Sequence, residues 1–222
     1  MKVSEQIGCQ GFPCSDVRYD GYIIPGIDIE PSAVSMMMIS EAAPAMQSDY
    51  YYTGEGSSYE QTTLAAFQKA GAEIGSFDQV SDLGVYLTSA VKCAKIGYGI
   101  KAGTIKECSL ILEKEIELFP NIKVIMLMGD VAIKAINYIA KRSGQGRVIP
   151  AGSTYKIRAG KYFFKDIRLF PSYLQVGPSY GIEKSKRRMI AEDIKAAVSM
   201  LAKRNLRDGK EESDLNMRAE KL

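Results

Sequence analysis

Apolar residues in this chain follow two alternating patterns, short continuous runs and longer repeats at helical spacing. Ala33-Val-Ser-Met-Met-Met-Ile-Ser40 is a continuous run of strand length, which predicts a strand covered on both faces and ending at Glu41-Ala-Ala-Pro44. Past a loop at Gly54–Ser58, Leu64, Ala65, Phe67 and Ala70 recur at helical spacing over Thr62–Ala70, and Gly71 closes that helix. Gly84–Val91, rich in β-branched and aromatic residues, predicts a second strand leading into Lys92 and Cys93. Thr104-Ile-Lys-Glu107 matches a capping box, and Ile105, Leu110, Leu112, Ile116 and Leu118 continue a helix to Pro120, which puts Cys108 in its first turn. Ile122–Met128 predicts a third strand, Gly129-Asp130 a turn and N-cap, and Val131–Lys141 a further helix. Tyr155–Arg158 and Tyr162–Phe164 read as a hairpin, Ile167–Phe170 as a last short strand, and Ile182 to about Leu206 as a long amphipathic helix.

Strands that alternate with helices imply an α/β fold, a three-layer α/β/α sandwich with a mostly parallel central sheet of about four strands. One domain over residues 1–208 is expected, opened by an irregular wrap at 1–32, where Gly and Pro break both periodicities, and followed by a polar tail at 209–222 that predicts frayed helix or disorder. Ligands on such sheets bind beyond the carboxyl ends of the strands. That places Glu41–Pro44, Thr88–Lys92, Gly129-Asp130 and the Pro171–Gly181 loop around one cleft.

Composition narrows the chemistry. The 222 residues include 29 Lys and Arg, 26 Asp and Glu, and no histidine, so imidazole acid/base catalysis, Ser/His/Asp or Cys/His nucleophiles and His-ligated zinc are all excluded. No apolar run reaches the roughly 20 residues needed to span a bilayer, and the first ten residues lack the apolar core of a secretory signal. The chain is therefore expected to be cytoplasmic, with no membrane partner and as a monomer. The net charge of +3 conceals a local excess, because Lys184 to Arg207 carries eight cations against Glu192 and Asp193. Lys184, Lys186, Arg187 and Arg188 stand just past the cleft loop, where a phosphate backbone would pass; a solvated helix face is the alternative.

Four cysteines are the other special resource. Cys9 and Cys14 lie in a Gly/Pro-containing loop, Cys93 follows a strand and Cys108 opens a helix. A reducing compartment disfavours disulfides, and four thiolates converging from separate loops suit zinc or an iron–sulfur cluster. Four unrelated buried thiols remain the other reading of the spacing.

Several segments together resemble family 4 uracil-DNA glycosylases. Val85-Tyr-Leu-Thr-Ser-Ala-Val-Lys-Cys93 is similar to their VYITNVVKC-like strand, Thr104-Ile-Lys-Glu-Cys108 to their EEIEAC-like helix start, and Ile122–Gly129 to their KVIVALG-like strand. Met38–Pro44 resembles their GEAPG motif and Phe170–Arg188 the region around their HPS motif; the likeness runs in order through most of residues 33–200. The resemblance implies a 4Fe-4S cluster held by Cys9, Cys14, Cys93 and Cys108, with zinc as the alternative. It also implies a partner in single- or double-stranded DNA and a site at a damaged base. By its terms Ala42, Ala43, Pro44, Ser89 and Ser172 contact the substrate, and Tyr52, within Tyr50-Tyr-Tyr52, stacks on a flipped base.

The chain departs from that pattern at two chemically decisive positions. Ser89 stands where the family has an asparagine that reads uracil, and a hydroxyl lacks the amide's paired donor and acceptor. The HPS histidine that stabilises the leaving base has no counterpart, the loop offering Gly177-Pro-Ser179 or Leu174 instead. The first motif carries one extra residue between Glu41 and Pro44, leaving Glu41 and Asp49 as the carboxylates able to support glycosidic cleavage. The expected function is an iron–sulfur, uracil-DNA-glycosylase-like protein that binds DNA and hydrolyses the N-glycosidic bond of a damaged base, with altered or reduced uracil specificity. The alternative is a non-catalytic relative that binds nucleic acid or a nucleotide around a structural cluster.

Overall fold

The computed structural model describes residues 1–54 and 56–219, with side chains described to residue 202 apart from Ser179 and Ile182. Its strands are β1 (Val17–Arg18), β2 (Met36–Ala43), β3 (Val85–Lys95), β4 (Val124–Met128), β5 (Tyr162–Phe164) and β6 (Ile167–Ser172). Its helices are α1 (Val3–Gln6), α2 (Ser58–Lys69), α3 (Asp78–Asp82), α4 (Ala102–Glu117), α5 (Asp130–Arg142), α6 (Thr154–Ile157), α7 (Ser179–Ile182) and α8 (Lys184–Ala219). The strands form one sheet in the order β1-β3-β2-β4-β6-β5.

The sheet has six strands rather than four. Its parallel centre, β3-β2-β4-β6, is made of the four strands that the apolar runs predict. The additions are short antiparallel edges, with β1 on β3 and β5 on β6. The edge at β5 is the Tyr162–Phe164 arm of the expected hairpin, whereas the two residues of β1 cannot display a period and left no signal in the sequence. The expected hairpin is also corrected: Thr154–Ile157 is a helical turn, and β5 pairs forward with Ile167–Leu169 instead of back with Tyr155–Arg158.

Both faces of the sheet are covered, for the reason the continuous runs suggest. Met37 and Ile39 of β2 and Ile125 and Leu127 of β4 point into a core shared with Ile105, Leu112 and Ile116 of α4 and Ile136 and Ile139 of α5. The alternate residues Met36, Met38, Val124 and Met126 join Phe67 of α2 and Ile190, Ile194 and Leu201 of α8 on the other face. The helix over Ser58–Lys69 starts a turn earlier than its apolar repeat, because Ser57 Oγ accepts from the Glu60 amide and caps it.

The N-terminal wrap is mostly irregular, as its glycines and prolines indicate, and packs Val3, Ile7, Val17 and Ile24 against the α4/α5 core. It is tied down at Asp16, which accepts from the Lys101 amide at 2.6 Å and from the Thr104 hydroxyl. Asp16 thus caps α4 from a distance. This corrects the capping box: α4 begins at Ala102, Thr104 serves Asp16, and Cys108 lies in the second turn. Burial opposes ionisation of Asp16, but the Lys101 amide and the Thr104 hydroxyl outweigh it and lower its pKa. A lowered folded-state pKa gives stability that is present above the unfolded value, about 3.9, and lost as pH falls through the folded one. Thermal melts of the wild type and Asp16→Asn should therefore differ near neutral pH and converge below about pH 4; an equal gap at all pH values would show that ionised Asp16 does not hold the wrap.

α8 continues from Lys184 to Ala219, so the expected boundary at 208 does not end the helix. The side chains of the 209–222 tail, and those of Lys203, Arg204 and Arg207 in the basic segment, lie outside the described residues. Among the described residues, no helix is long and apolar enough to cross a membrane.

Candidate functional site

A cleft opens where the sheet topology predicts it, beyond the carboxyl ends of β2, β4 and β6. One lobe, of about 360 Å³, is lined by Glu41, Ala42, Ala43, Pro44, Asp49 and Tyr59, with Lys95 and Gly97 at its β3 rim. The other, of about 340 Å³, is lined by Glu41, Gly129, Asp130, Thr154, Tyr173 and Lys186. Glu41 and Leu174 belong to both lobes and so stand at their junction. Gly129, at φ 97°, gives Glu41 this position: a Cβ there would come within 2.9 Å of the Glu41 Cδ.

The two carboxylates are uncommitted. Among the described residues, no hydrogen bond or ion pair engages the side chain of Glu41 or Asp49, whereas Glu113, Glu115, Glu192 and Asp193 are each paired to a cation. Both act on Tyr59. Burial, then the charges of Asp49 and Glu41, hold its hydroxyl well above the usual phenol range, and that hydroxyl donates to the Ala42 carbonyl at 3.2 Å. Tyr59 is the aromatic residue lining the first lobe, and nothing in the sequence pointed to it because it sits on the first turn of α2, away from the tyrosine run.

Tyr52 is placed elsewhere. Its hydroxyl accepts from the Leu87 amide at 2.8 Å, and its ring lies against Tyr86 and Phe77 at 6.2 and 5.3 Å, so it is packing for β3 rather than a platform in the cleft. Ser89 is fully buried, and its hydroxyl is bonded to that of Tyr50 at 3.0 Å. It does not line either lobe. Ser172 is buried too and donates to Asp193 at 2.7 Å, while Asp193 also pairs with Arg158 at 2.7 Å. This Ser172–Asp193–Arg158 chain pins α8 and α6 to the end of β6, a positioning task rather than substrate contact. Pro171-Ser172 ends the last parallel strand, which puts Phe170 directly before the Pro-Ser pair; neither Phe170 nor Leu174 offers a donor.

Two of the four cations read as a nucleic-acid contact are paired with acids. Lys186 lies 2.7 Å from Glu183 and Arg188 3.6 Å from Glu192, while Lys184 is exposed and Arg187 half-buried. Lys186 alone of the four lines the cleft, in its second lobe.

The cysteines lie on the other side of β3. A cavity of about 190 Å³ is lined by Cys9, Cys14 and Cys108 together with Gln10, Glu107 and Lys114, and none of the four cysteines is in a disulfide. Burial pushes the Cys93 thiol up to about 12, and Cys108, Cys9 and Cys14 each raise it further, so all four sulfurs interact. Burial likewise raises Cys108 to about 11, opposed by the nearby Lys92 backbone. Neighbouring sulfurs disfavour the thiolates of Cys14, Cys93 and Cys108, which a cationic centre would relieve. Among the described residues no group of three or more His, Cys, Asp or Glu side chains is arranged to hold a single metal ion. A tetrahedral ion draws its sulfurs to about 2.3 Å from one point, whereas a cluster binds each thiolate at a separate iron.

Beneath the cysteines lies a buried charge pair that the sequence did not disclose. Lys92 and Glu115 are both fully buried at 2.5 Å. The ammonium also donates to Thr88 Oγ1 and the Ser89 carbonyl, each at 2.7 Å, and Glu115 accepts from the Tyr86 and Thr88 hydroxyls at 2.7 and 2.9 Å. All three ammonium protons are used.

Residues 29–193 match the family model described as the Uracil DNA glycosylase superfamily, a span that includes the whole cleft, Cys93 and Cys108 but begins after Cys9 and Cys14. No curated protein matches the chain.

Proposed function

The chain belongs to the uracil DNA glycosylase superfamily, and from that premise we propose that it hydrolyses the N-glycosidic bond of a damaged base in DNA without uracil-selective readout. The observation that carries this reading is the pair of uncommitted carboxylates, Glu41 and Asp49, facing Tyr59 in a cleft at the carboxyl ends of the strands. Cleavage passes through an oxocarbenium-like state. Glu41, at the junction of the lobes, accepts the proton of the attacking water, Asp49 stabilises the developing sugar charge, and Tyr59 supplies the face on which the base rests. Lys95, at the β3 rim, holds a flanking phosphate.

Two features shift the substrate away from uracil. The Ser89 hydroxyl is spent on Tyr50, so no side chain from that position reads a base edge. No imidazole replaces the missing leaving-group donor, a loss worth about 10²–10³ in rate, which favours bases that leave readily as anions. Cys9, Cys14, Cys93 and Cys108 are the residues that would hold a 4Fe-4S cluster, which when bound would act as a staple between the wrap, β3 and α4. The same closed position at Ser89 favours, as the second reading, a relative that binds nucleic acid without cutting.

The deciding experiment offers uracil, hypoxanthine and xanthine in single- and double-stranded oligonucleotides and quantifies abasic sites. Product is expected on at least one, with Glu41→Gln slowing it by about 10²–10⁴ and leaving affinity for an undamaged strand unchanged. No abasic product above the enzyme-free control on any substrate would leave the non-cutting relative as the function.

A further inference from the structure

A second surface carries unpaired charge beside exposed aromatic rings. Residues 143–165 contain Arg147, Lys156, Arg158, Lys161 and Lys165 and no acid. Of these, only Arg158 enters an ion pair among the described residues; Arg147, Lys156, Lys161 and Lys165 are exposed. Tyr155 on α6 is 69% exposed and Phe163 on the edge strand β5 is 48% exposed. The Arg168 guanidinium lies over the Phe163 ring, 5.6 Å from its centroid. The strip is continuous with the cleft, because Thr154, the residue before Tyr155, lines the second lobe.

We propose that this α6–β5 flank is the track for single-stranded DNA leading out of the cleft. Lys156, Lys161 and Lys165 contact successive phosphates, and Tyr155 and Phe163 each stack one base. Unpaired cations suit a polyanion, and stacking platforms suit bases whose faces are free; a duplex hides those faces. The footprint thus moves from the helix at Lys184–Arg188, where Glu183 and Glu192 occupy two of the four cations, to the edge of the sheet. The inference rests on the proposed DNA substrate but not on cleavage.

The test uses the full chain and an undamaged, fluorescein-labelled oligothymidine, read by anisotropy across a salt series, with melting curves to verify folding. Tyr155→Ala with Phe163→Ala should weaken binding about tenfold or more at an unchanged salt slope. Lys156→Ala, Lys161→Ala and Lys165→Ala together should flatten the slope of log affinity against log salt by about 2. Wild-type affinity in the aromatic variant, wild-type slope in the lysine variant, or binding to duplex as strong as to single strand would each overturn the track. An enzyme that excises no base yet shows both losses would overturn the proposed hydrolysis and leave the track standing.

Discussion

Glu115→Ala is expected to destabilise the protein by about 3–5 kcal/mol, because it leaves the fully buried Lys92 ammonium without its counter-ion. In a domain of this size that lowers the melting temperature by about 6–20 °C. The remaining partners, Thr88 Oγ1 and the Ser89 carbonyl, accept two of the three ammonium protons but supply no charge. The Tyr86 and Thr88 hydroxyls lose their acceptor in the same step, which adds unsatisfied polar groups to the unpaired charge. The control is Lys92→Met with Glu115→Leu, which removes both charges and keeps apolar volume; it should recover much of the loss. Denaturant or thermal unfolding of the two variants checks this, and a single variant as stable as the wild type would show that the pair is not buried as described.

The second large effect concerns the cysteines. Protein purified without oxygen should contain four irons and four labile sulfides per chain, and Cys108→Ser should lose them together with a large part of its thermal stability. Ligation requires four thiolates, which burial and mutual repulsion disfavour at Cys93 and Cys108, so a bound centre releases protons and stabilises only the folded state. It would join three separate stretches of chain: the wrap through Cys9 and Cys14, β3 through Cys93 and α4 through Cys108. Metal and sulfide analysis with melting curves decides the matter. Zinc in place of iron would replace the cluster by the simpler ion. An iron-free Cys108→Ser protein that melts with the wild type would refute the staple.

These two sites differ in how far the sequence announced them. Cysteine is rare enough that four residues, in a loop, a strand and a helix, stood out without coordinates. Lys92 and Glu115 did not, since a Lys at a strand end and a Glu in a helix are ordinary solvated residues until the strand and helix are packed together. The cleft was legible at intermediate depth. The rule for strand ends located Glu41 and the residues at 42–44, because it depends only on where apolar runs stop. It could not select Tyr59 over Tyr52, since which ring faces the opening depends on how α2 leans on β2.

By itself, the sequence determined the parallel centre of the sheet and the helices that cover it. Continuous apolar runs and helical repeats are local properties, and burying both faces of Met36–Ile39 or Val124–Met128 permits little else. Only the tertiary structure decided which polar groups were spent and which were free. Ser89 is bonded to Tyr50 from 39 residues away, Ser172 to Asp193 from 21, and Lys186 to Glu183 within one turn, whereas Glu41 and Asp49 have no such partner among the described residues. A side chain's chemistry is fixed by its identity, but its availability is set by neighbours that the fold brings from elsewhere in the chain.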